Sequence, residues 1–557
     1  MNQKVLPLAA IIIVVLSSLI GGLYQSRSRM TKTSSSATSN TDDVKKGFEE
    51  ALETVREEYA GETDVELLSK ASIQEMLHQL DPHSSFFTKA EFDELQTEQQ
   101  SRIYGIGVTI AKRYDRVYIM SATPGGPGHR AGLRYGDAII AVNGQSAEDW
   151  NQDKVLHNVR GEKGEEVKIT VERAGVASPI TVKIKRDEVK LPTVRTAFMT
   201  SQPGTGYIGL TGGFAAKTEE ELTAAITKLK QEGMKQLVLD LRGNPGGLLD
   251  QAIEVAKKFL RSGQKILEVR GREGRFPTRV FEVPDNNEPE TMPLVILVNG
   301  NTASASEVVA GALQDHDRAL IVGETSFGKG LVQSVTRLSY GAGLTLTTQR
   351  WHTPTGRLIQ RDYSNVSFYD YYYHPKETAQ ENTTAQKSNT VYTDSGRSVY
   401  GGGGITPDVE VKSKEPRSFS QNSVNGRIFN GIFMFVRQLV AGQIANLREY
   451  KINESQNKSH LTQDDINHFV VDEKVLAAYR QFIATNSQFN FSEEQFNERK
   501  NYIILQLRRE IITAAYGPEA GDQVYLAEDV QLLKALEKFP EAKMMAENSH
   551  ANQNDRP

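Results

Sequence analysis

Apolar residues between positions 42 and 100 recur at the spacing of an α-helix. Four of them are separated by three or four positions and share one helix face: Phe48, Leu52, Val55 and Tyr59. Pro82 disfavours helical backbone at Asp81, so the pattern ends there, and the serines that follow are suited to cap another short helix. Residues 42–100 are therefore predicted to be an N-terminal helical segment.

From Tyr104 the pattern changes to short β-branched runs separated by glycine. Five runs read as strands and end near Arg186: residues 105–110, 117–120, 138–142, 167–171 and 180–184. Such closely spaced strands with glycine turns are typical of a compact all-β unit. The sequence thus predicts a β-rich module over residues 101–188.

Strand and helix patterns alternate over residues 206–350, which favours an α/β domain. We assign residues 189–412 to this core. Beyond it, apolar residues such as Ile428, Ile432 and Val436 again follow helical spacing. Residues 413–557 are predicted to be a helical C-terminal extension, and the whole chain a multidomain α/β protein.

The N-terminus carries no charged residue from Val5 to Ser26. As a helix, this stretch of 22 residues would reach about 33 Å, enough to cross a hydrocarbon core. Residues 1–26 are predicted to be a transmembrane anchor or a signal peptide, and residues 27–41, rich in Ser and Thr, a polar tether. The folded part is accordingly expected outside the cytoplasm, on the periplasmic or cell-envelope side.

Composition excludes several classes of site. The 557 residues include no cysteine, so disulfides, thiolate metal sites and a cysteine nucleophile are absent. The formal net charge of −5 and the mixed signs give no field that would attract nucleic acid. His78 and His83 are the nearest approach to a metal motif, but no H-E-x-x-H spacing occurs. We expect no metal and no cofactor.

Residues 323–330 nearly spell a phosphate-binding loop. Gly323, Gly328 and Lys329 stand in the required order, but Gly330 replaces the hydroxyl residue that would hold magnesium. The residues that follow are β-branched and predict a strand, whereas such a loop must open a helix. Nucleotide binding is therefore disfavoured.

A serine and a lysine offer different chemistry. The run Thr302–Glu307, which contains three hydroxyl residues, lies between an apolar strand and a helix, so a nucleophile there would stand at a helix N-terminus, which favours an oxyanion. Burial can lower the pKa of Lys329 enough for its amine to act as a base. If residues 329–335 form a strand, Lys329 and Gln333 share one face, so Gln333 could orient the amine without adding a charge. The glycine turn at residues 243–247 could direct backbone N–H groups towards a common cavity.

These motifs resemble the carboxyl-terminal processing peptidases of serine peptidase family S41. The resemblance rests on Asn299–Glu307 and Val322–Gln333, together with four further stretches: Leu80–Ser84, residues 104–186 as a PDZ domain, Asp240–Gly247 and Tyr400–Asp408. It covers roughly residues 45–412. It implies an α/β Ser-Lys peptidase core with an inserted PDZ domain, and it leaves the helical extension without an assignment.

The resemblance implies roles for individual residues. Ser304 matches the nucleophile, Lys329 the general base and Gln333 the residue that positions the lysine. Supporting residues follow the same matching: Gly246, Gly247 and Ala305 as oxyanion-hole candidates, and Asp315 as an acidic residue that some members need. The PDZ carboxylate-binding loop matches residues Gly105, Ile106, Gly107 and Val108, whose N–H groups would bind a terminal carboxylate.

The function implied is that of a serine endopeptidase that binds C-terminal tails of protein substrates and cleaves them. The extension would dimerise the enzyme or dock an adaptor. Two alternatives stay open: a Ser-His-Asp site that uses His316 or His352, since histidine is the commoner base, and a noncatalytic scaffold that collects protein tails.

Overall fold

The computed structural model describes residues 41–100, 102–364, 366–373, 390–414, 420, 423–453, 461, 465 and 468–551. The chain divides into two compact units between Ile73 and Gln74. The first unit holds helix α1 (Thr41–Glu58) and most of α2 (Val65–His78). Within the described ranges no helix is both long and apolar enough to cross a membrane. The predicted span over residues 1–26 lies outside those ranges.

The second unit contains a β-rich module. Its main sheet is antiparallel in the order β3-β4-β5-β7-β8, with β6 paired to β5, and β2 pairs with β9 where the chain enters and leaves the module. The strands are β2 (Arg102–Gly105), β3 (Val108–Arg113), β4 (Arg116–Ala122), β5 (Ala138–Val142), β6 (Gln145–Ser146), β7 (Glu166–Glu172), β8 (Ile180–Lys185) and β9 (Asp187–Lys190). Two short helices complete it: α4 (Pro127–Arg130) and α5 (Gln152–Val159). The five predicted strands are confirmed.

A second sheet of six strands lies at the centre of the α/β core. Its order is β10-β11-β12-β15-β16-β21, parallel except for the antiparallel edge strand β10. The strands are β10 (Val194–Met199), β11 (Thr205–Leu210), β12 (Gln236–Asp240), β15 (Leu294–Val298), β16 (Leu320–Gly323) and β21 (Val409–Glu410). Helices α6 (Thr218–Gln231), α7 (Leu249–Lys257) and α8 (Ala305–Asp315) connect them. This arrangement follows from strands that are buried on both faces and joined by helices.

Successive side chains of β15 enter two different apolar clusters. Leu294, Ile296 and Val298 pack with helices α6 to α8. Val295 and Leu297 point to the opposite face, because side chains alternate along a strand, and they pack with residues of the C-terminal extension. The central sheet is therefore covered by helices on both faces.

A further sheet brings residues 85–87 to the core. Its order is β1-β18-β13-β14, and β17 pairs with β18. The strands are β1 (Ser85–Phe87), β13 (Lys265–Gly271), β14 (Arg279–Glu282), β17 (Leu331–Arg337) and β18 (Gly343–His352). Ser85 begins a strand rather than capping a helix, so that expectation is wrong. The cap of α3 (Lys89–Gln99) is Thr88, which exchanges hydrogen bonds with Glu91.

The C-terminal extension is helical, as predicted. Its helices are α10 (Val424–Val440), α11 (Glu473–Thr485), α12 (Glu493–Glu498), α13 (Lys500–Tyr516), α14 (Pro518–Leu526), α15 (Val530–Glu537) and α16 (Phe539–Ala551). They build an apolar core of their own around residues such as Ile432, Tyr479 and Ile511. A short helix α9 (Phe368–Tyr373) and a hairpin of β19 (Thr390–Tyr392) and β20 (Ser398–Tyr400) precede the extension.

Candidate active site

Ser304 occupies a strained backbone position at the N-terminus of α8. Its φ of 55° and ψ of −116° lie where non-glycine residues are rare, at a cost of about 1–3 kcal/mol. Every residue of α8 is buried, so the helix cannot shift to relieve the strain. Ser304 is half-buried and stands at the positive end of the helix dipole. Ser306, by contrast, is fully buried and donates to the Asn244 carbonyl.

The buried carboxylate of Glu307 joins the serine to the lysine. Oxygen Oε2 accepts the backbone N–H of Ser304 at 2.8 Å and that of Lys329 at 2.9 Å. Oxygen Oε1 accepts the N–H of Gly328 at 2.7 Å and the hydroxyl of Ser326. Burial raises the pKa of Glu307, while these four donors favour its charged form. One side chain thus holds both predicted catalytic residues by their main chains.

The sequence contains a signal for this contact. Ser304-x-x-Glu307 has the spacing of a capping box, in which the glutamate accepts the N–H of the cap residue. Glu307 is nevertheless not among the residues predicted from the sequence to belong to the site.

Lys329 precedes β17 and its amine is directed along that strand. Nζ donates to Gln333 Oε1 at 2.9 Å. Burial lowers the pKa of Lys329, and the negative charges of Asp81 and Glu307 oppose that effect. No hydrogen bond joins Nζ to Ser304 Oγ in this structure.

The amide of Gln333 is fixed by the N-terminal segment. Its Nε2 donates to the main-chain carbonyl of His83, which orients Oε1 towards the lysine. A tight turn holds that carbonyl, because Asp81 Oδ1 accepts the N–H groups of His83 and Ser84, each at 2.8 Å. Asp81 Oδ2 accepts the Ser84 hydroxyl, also at 2.8 Å. The segment therefore supports the lysine through main-chain atoms.

The His83 ring is buried among aromatic side chains. Tyr372 donates its hydroxyl proton to the Pro82 carbonyl, so it accepts from His83 Nδ1, and Nε2 is left to accept from Tyr371. Burial, with the charge of Lys329, lowers the pKa of His83 to about 3. The ring is neutral at pH 7 and places no second positive charge beside the lysine.

The glycine turn after β12 packs directly on the serine. A methyl group added at Gly246 would lie 2.8 Å from Ser304 Cβ and 2.9 Å from the Ala305 nitrogen. The Gly246 N–H already donates to Asn244 Oδ1 at 2.9 Å. The N–H groups of Gly247 and Ala305 have no acceptor among the described residues. These two, rather than Gly246, are the donors open to an oxyanion.

The other sequence-predicted residues lie elsewhere. Asp315 ends α8, about 15 Å along the helix from Ser304, and there it pairs with Arg357 and accepts from Thr355. His316 directs both ring nitrogens away from the serine, to Asp394 and to the Lys265 carbonyl. His352 lies at the end of β18, opposite Glu268 of β13. Neither histidine contacts Ser304.

The predicted carboxylate-binding loop connects β2 to β3. Ile106 is buried, and its carbonyl accepts the Gly128 N–H, while the Gly107 carbonyl accepts that of Thr123. Gly107 has a φ of +68°. Val108 then begins β3, which pairs only with β4 among the described strands and so forms an edge of its sheet.

The chain matches two known sequence families. The model of peptidase family S41 matches residues 204–365, and that of the PDZ domain matches residues 94–172. The residues of the Ser304–Lys329 site all fall within the first range, apart from the supporting N-terminal turn. The helical extension lies outside both.

Individual proteins show the same relationship. The carboxy-terminal-processing protease of Bartonella bacilliformis is 35% identical over 352 residues, which are 61% of this chain and 79% of that protein. Carboxy-terminal processing protease CtpA of Bacillus subtilis is 34% identical over 331 residues, 59% of this chain and 69% of that protein. Among solved structures, the photosystem II D1 C-terminal processing protease is 27% identical, with a TM-score of 0.34 over 66% of this chain and 92% of that one. Because it spans 79% of a relative that is 35% identical and matches both family models, the chain belongs to the carboxy-terminal processing peptidases of family S41, serine-type peptidases with a PDZ domain.

Proposed function

We propose that this peptidase binds the C-terminal tail of a protein substrate in its PDZ domain and cleaves within that tail, with Ser304 as nucleophile and Lys329 as general base. The observation that carries the proposal is the Glu307 carboxylate, which holds the main chains of both residues. Such a link keeps the main chains of a nucleophile and its base at a fixed separation.

The chemistry follows from the positions of the groups. Neutral Lys329 accepts the Ser304 proton as Oγ attacks the scissile carbonyl carbon, and the resulting oxyanion receives the N–H groups of Gly247 and Ala305. The C–N bond then breaks, and the lysine returns the proton to the leaving amine. In the second half, Lys329 takes a proton from water as the oxygen of that water attacks the acyl-enzyme carbonyl. The bond from that carbon to Ser304 Oγ then breaks, the lysine returns the proton to Oγ, and a carboxylic acid is released.

Gln333 serves the lysine as a neutral partner. Its Oε1 accepts one amine proton and leaves the nitrogen lone pair free to face the serine. An acidic residue in this place would raise the lysine pKa and reduce the neutral fraction. The amide orients the base without charging it.

Tail recognition is supported by the edge strand β3 and the loop before it. A peptide can add antiparallel to the free edge of β3, with its terminal carboxylate at the N–H groups of residues 105–108. Helix α5 lies against β3 and would form the other wall of the groove. The charge-free stretch from Val5 to Ser26 supports action outside the cytoplasm.

The test is cleavage of an unstructured protein by the purified enzyme, compared with Ser304→Ala and Lys329→Ala. We expect both variants to lose at least about 10³-fold in kcat, and mass spectrometry to show wild-type cuts near the C-terminus of the substrate. Ser201→Ala and Lys235→Ala, at exposed positions, are matched controls. Full activity in Lys329→Ala would instead support a histidine base, and inert wild-type enzyme that still binds tails would support the scaffold.

A further inference from the structure

The C-terminal extension reaches the strand that ends at the active site. Asp529 caps α15, accepting the Leu532 N–H at 2.7 Å. The same oxygen, Oδ1, accepts Arg242 Nη1 at 2.8 Å. The Gln531 side chain accepts from that Nη1 as well, also at 2.8 Å, and its amide nitrogen donates to the Val411 carbonyl.

Arg242 stands between the extension and the glycine turn. It lies two residues after the end of β12, and its Nε and Nη2 donate to the carboxylate of Asp240 at 2.9 and 2.6 Å. The Arg242 side chain is 13% exposed and that of Asp529 only 7%. Charged groups so far removed from water keep their partners, because separation would leave a charge buried and unpaired. The Arg242 side chain is consequently held in one orientation.

Hydrogen bonds and packing connect the turn that begins at Arg242 to Ser304 and to the loop before it. The Gly243 N–H donates to Asn299 Oδ1 at 3.0 Å, and the Asn244 carbonyl accepts the Ala303 N–H at 3.0 Å. Two residues later Gly246 packs on Ser304. A change in the direction of Arg242 would therefore move the Gly247 N–H relative to the reacting carbonyl.

We propose that Asp529, assisted by Gln531, is a positioning residue of the peptidase: through Arg242 it sets the orientation of the glycine turn that donates to the oxyanion. The inference rests on the proposed function, since it assigns a task to that same site. It gives the extension a part in catalysis, although none of the extension's described residues is hydrogen-bonded to the serine or the lysine.

The test replaces the carboxylate but keeps the helix cap. Asp529→Ser retains a capping hydroxyl and cannot reach Arg242 with a charge, while Asp529→Asn keeps an acceptor of the same shape. We expect Asp529→Ser to lower kcat about 10-fold with KM changed less than about twofold, since a misplaced oxyanion donor costs less than its removal. The fall in kcat should be smaller for Asp529→Asn than for Asp529→Ser. Glu528→Gln, at the exposed neighbouring position, should equal wild type.

A pair of inhibitors separates positioning from folding. A peptide aldehyde forms a hemiacetal with Ser304, and its oxygen occupies the oxyanion position, whereas the matching peptide alcohol binds without that bond. Asp529→Ser should lose about 10-fold affinity for the aldehyde and none for the alcohol. Equal affinity of wild type and variant for the aldehyde, or equal losses for both compounds, would overturn the inference while leaving the peptidase assignment intact. Wild-type enzyme that bound aldehyde and alcohol alike would contradict the proposed function itself.

Discussion

Glu307 shows how one buried side chain can set the geometry of two others. It accepts four hydrogen bonds, and two of them fix the main chains of Ser304 and Lys329. Its negative charge also acts on the lysine, because it opposes the lowering of the Lys329 pKa by burial. Position and proton affinity of the base therefore depend on the same carboxylate.

Replacing Glu307 with glutamine should have two separable effects. The amide nitrogen of the new glutamine faces N–H donors and cannot accept from them. The loop at residues 326–329 is therefore held less well, and kcat falls by about 10²-fold. Loss of the negative charge lowers the Lys329 pKa further, so the neutral amine persists to lower pH and the acidic limb of kcat/KM moves to lower pH. The residual activity is measured from pH 5 to 10. An unshifted limb, or one shifted to higher pH, would contradict the electrostatic role.

His83 makes stability depend on pH. Its folded-state pKa of about 3 lies below its ordinary value of 6.5, so the stabilisation is present above pH 6.5 and is lost as the pH falls towards 3. His83→Phe removes this group, and the stability deficit of the variant should be about 3 kcal/mol smaller at pH 4 than at pH 7. Urea unfolding at the two pH values measures it.

The same variant separates the side chain from the main chain. The His83 carbonyl that accepts from Gln333 is retained in His83→Phe, so cleavage should continue at a measurable rate. A deficit that does not change with pH would contradict a neutral, buried imidazole.

At the scale of elements, the site depends on how closely the turn at residues 243–247 approaches the start of α8. The space between Gly246 and Ser304 leaves no room for a methyl group. The strain at Ser304 persists because α8 is buried along its whole length. An element that could move would release both constraints.

Gly246→Ala and Gly243→Ala form a matched pair that tests this contact. Both glycines have positive φ, +97° and +70°, so both variants bear about 1–2 kcal/mol of backbone strain. Only at Gly246 does the new methyl group meet the Ser304 residue, while nothing lies within 4 Å at Gly243. We expect Gly246→Ala to lose at least about 10²-fold in kcat and Gly243→Ala to stay within about 10-fold. Equal activities would show that the turn does not shape the site.

Long periodic elements could be predicted from the sequence, and short ones that depend on partners could not. The parallel strands and helices α6 to α8 could be predicted because their apolar residues form long local patterns, which do not depend on the partner that covers them. β1 has three residues and exists because β18 offers it an edge, so no local pattern reveals it. Strand spacing could pair Lys329 with Gln333, and the resemblance to family S41 could single out Ser304. The contacts of Glu307, Asn244 and the His83 carbonyl depend on tertiary packing. The catalytic roles of Ser304, Lys329 and Gln333, and the domain boundaries, remain predictions.

At the scale of the whole molecule, the extension joins parts that are distant in sequence. Phe433 of α10 packs edge-on against Tyr118 of the PDZ module, and Arg437 donates to the Gly136 carbonyl. Leu532 and Phe539, further along, pack on the central sheet. Apolar stripes predicted that these helices bury a face, but not which surface they cover, since periodicity carries no information about the partner.

The three-residue strand β1 has a consequence for how the enzyme could be controlled. β1 and the turn before it place the His83 carbonyl against the Gln333 amide. That placement depends on the pairing of the three residues of β1 with β18. A version of the chain that begins after Thr88 should therefore fold but lack the His83 carbonyl that orients Gln333 and, through it, Lys329. A synthetic peptide of residues 74–88 should restore turnover in proportion to the fraction of enzyme that has bound the peptide. The peptidase would then behave as a two-piece reporter, in which an inert fragment becomes a protease only while a short ligand fills the vacant sheet edge.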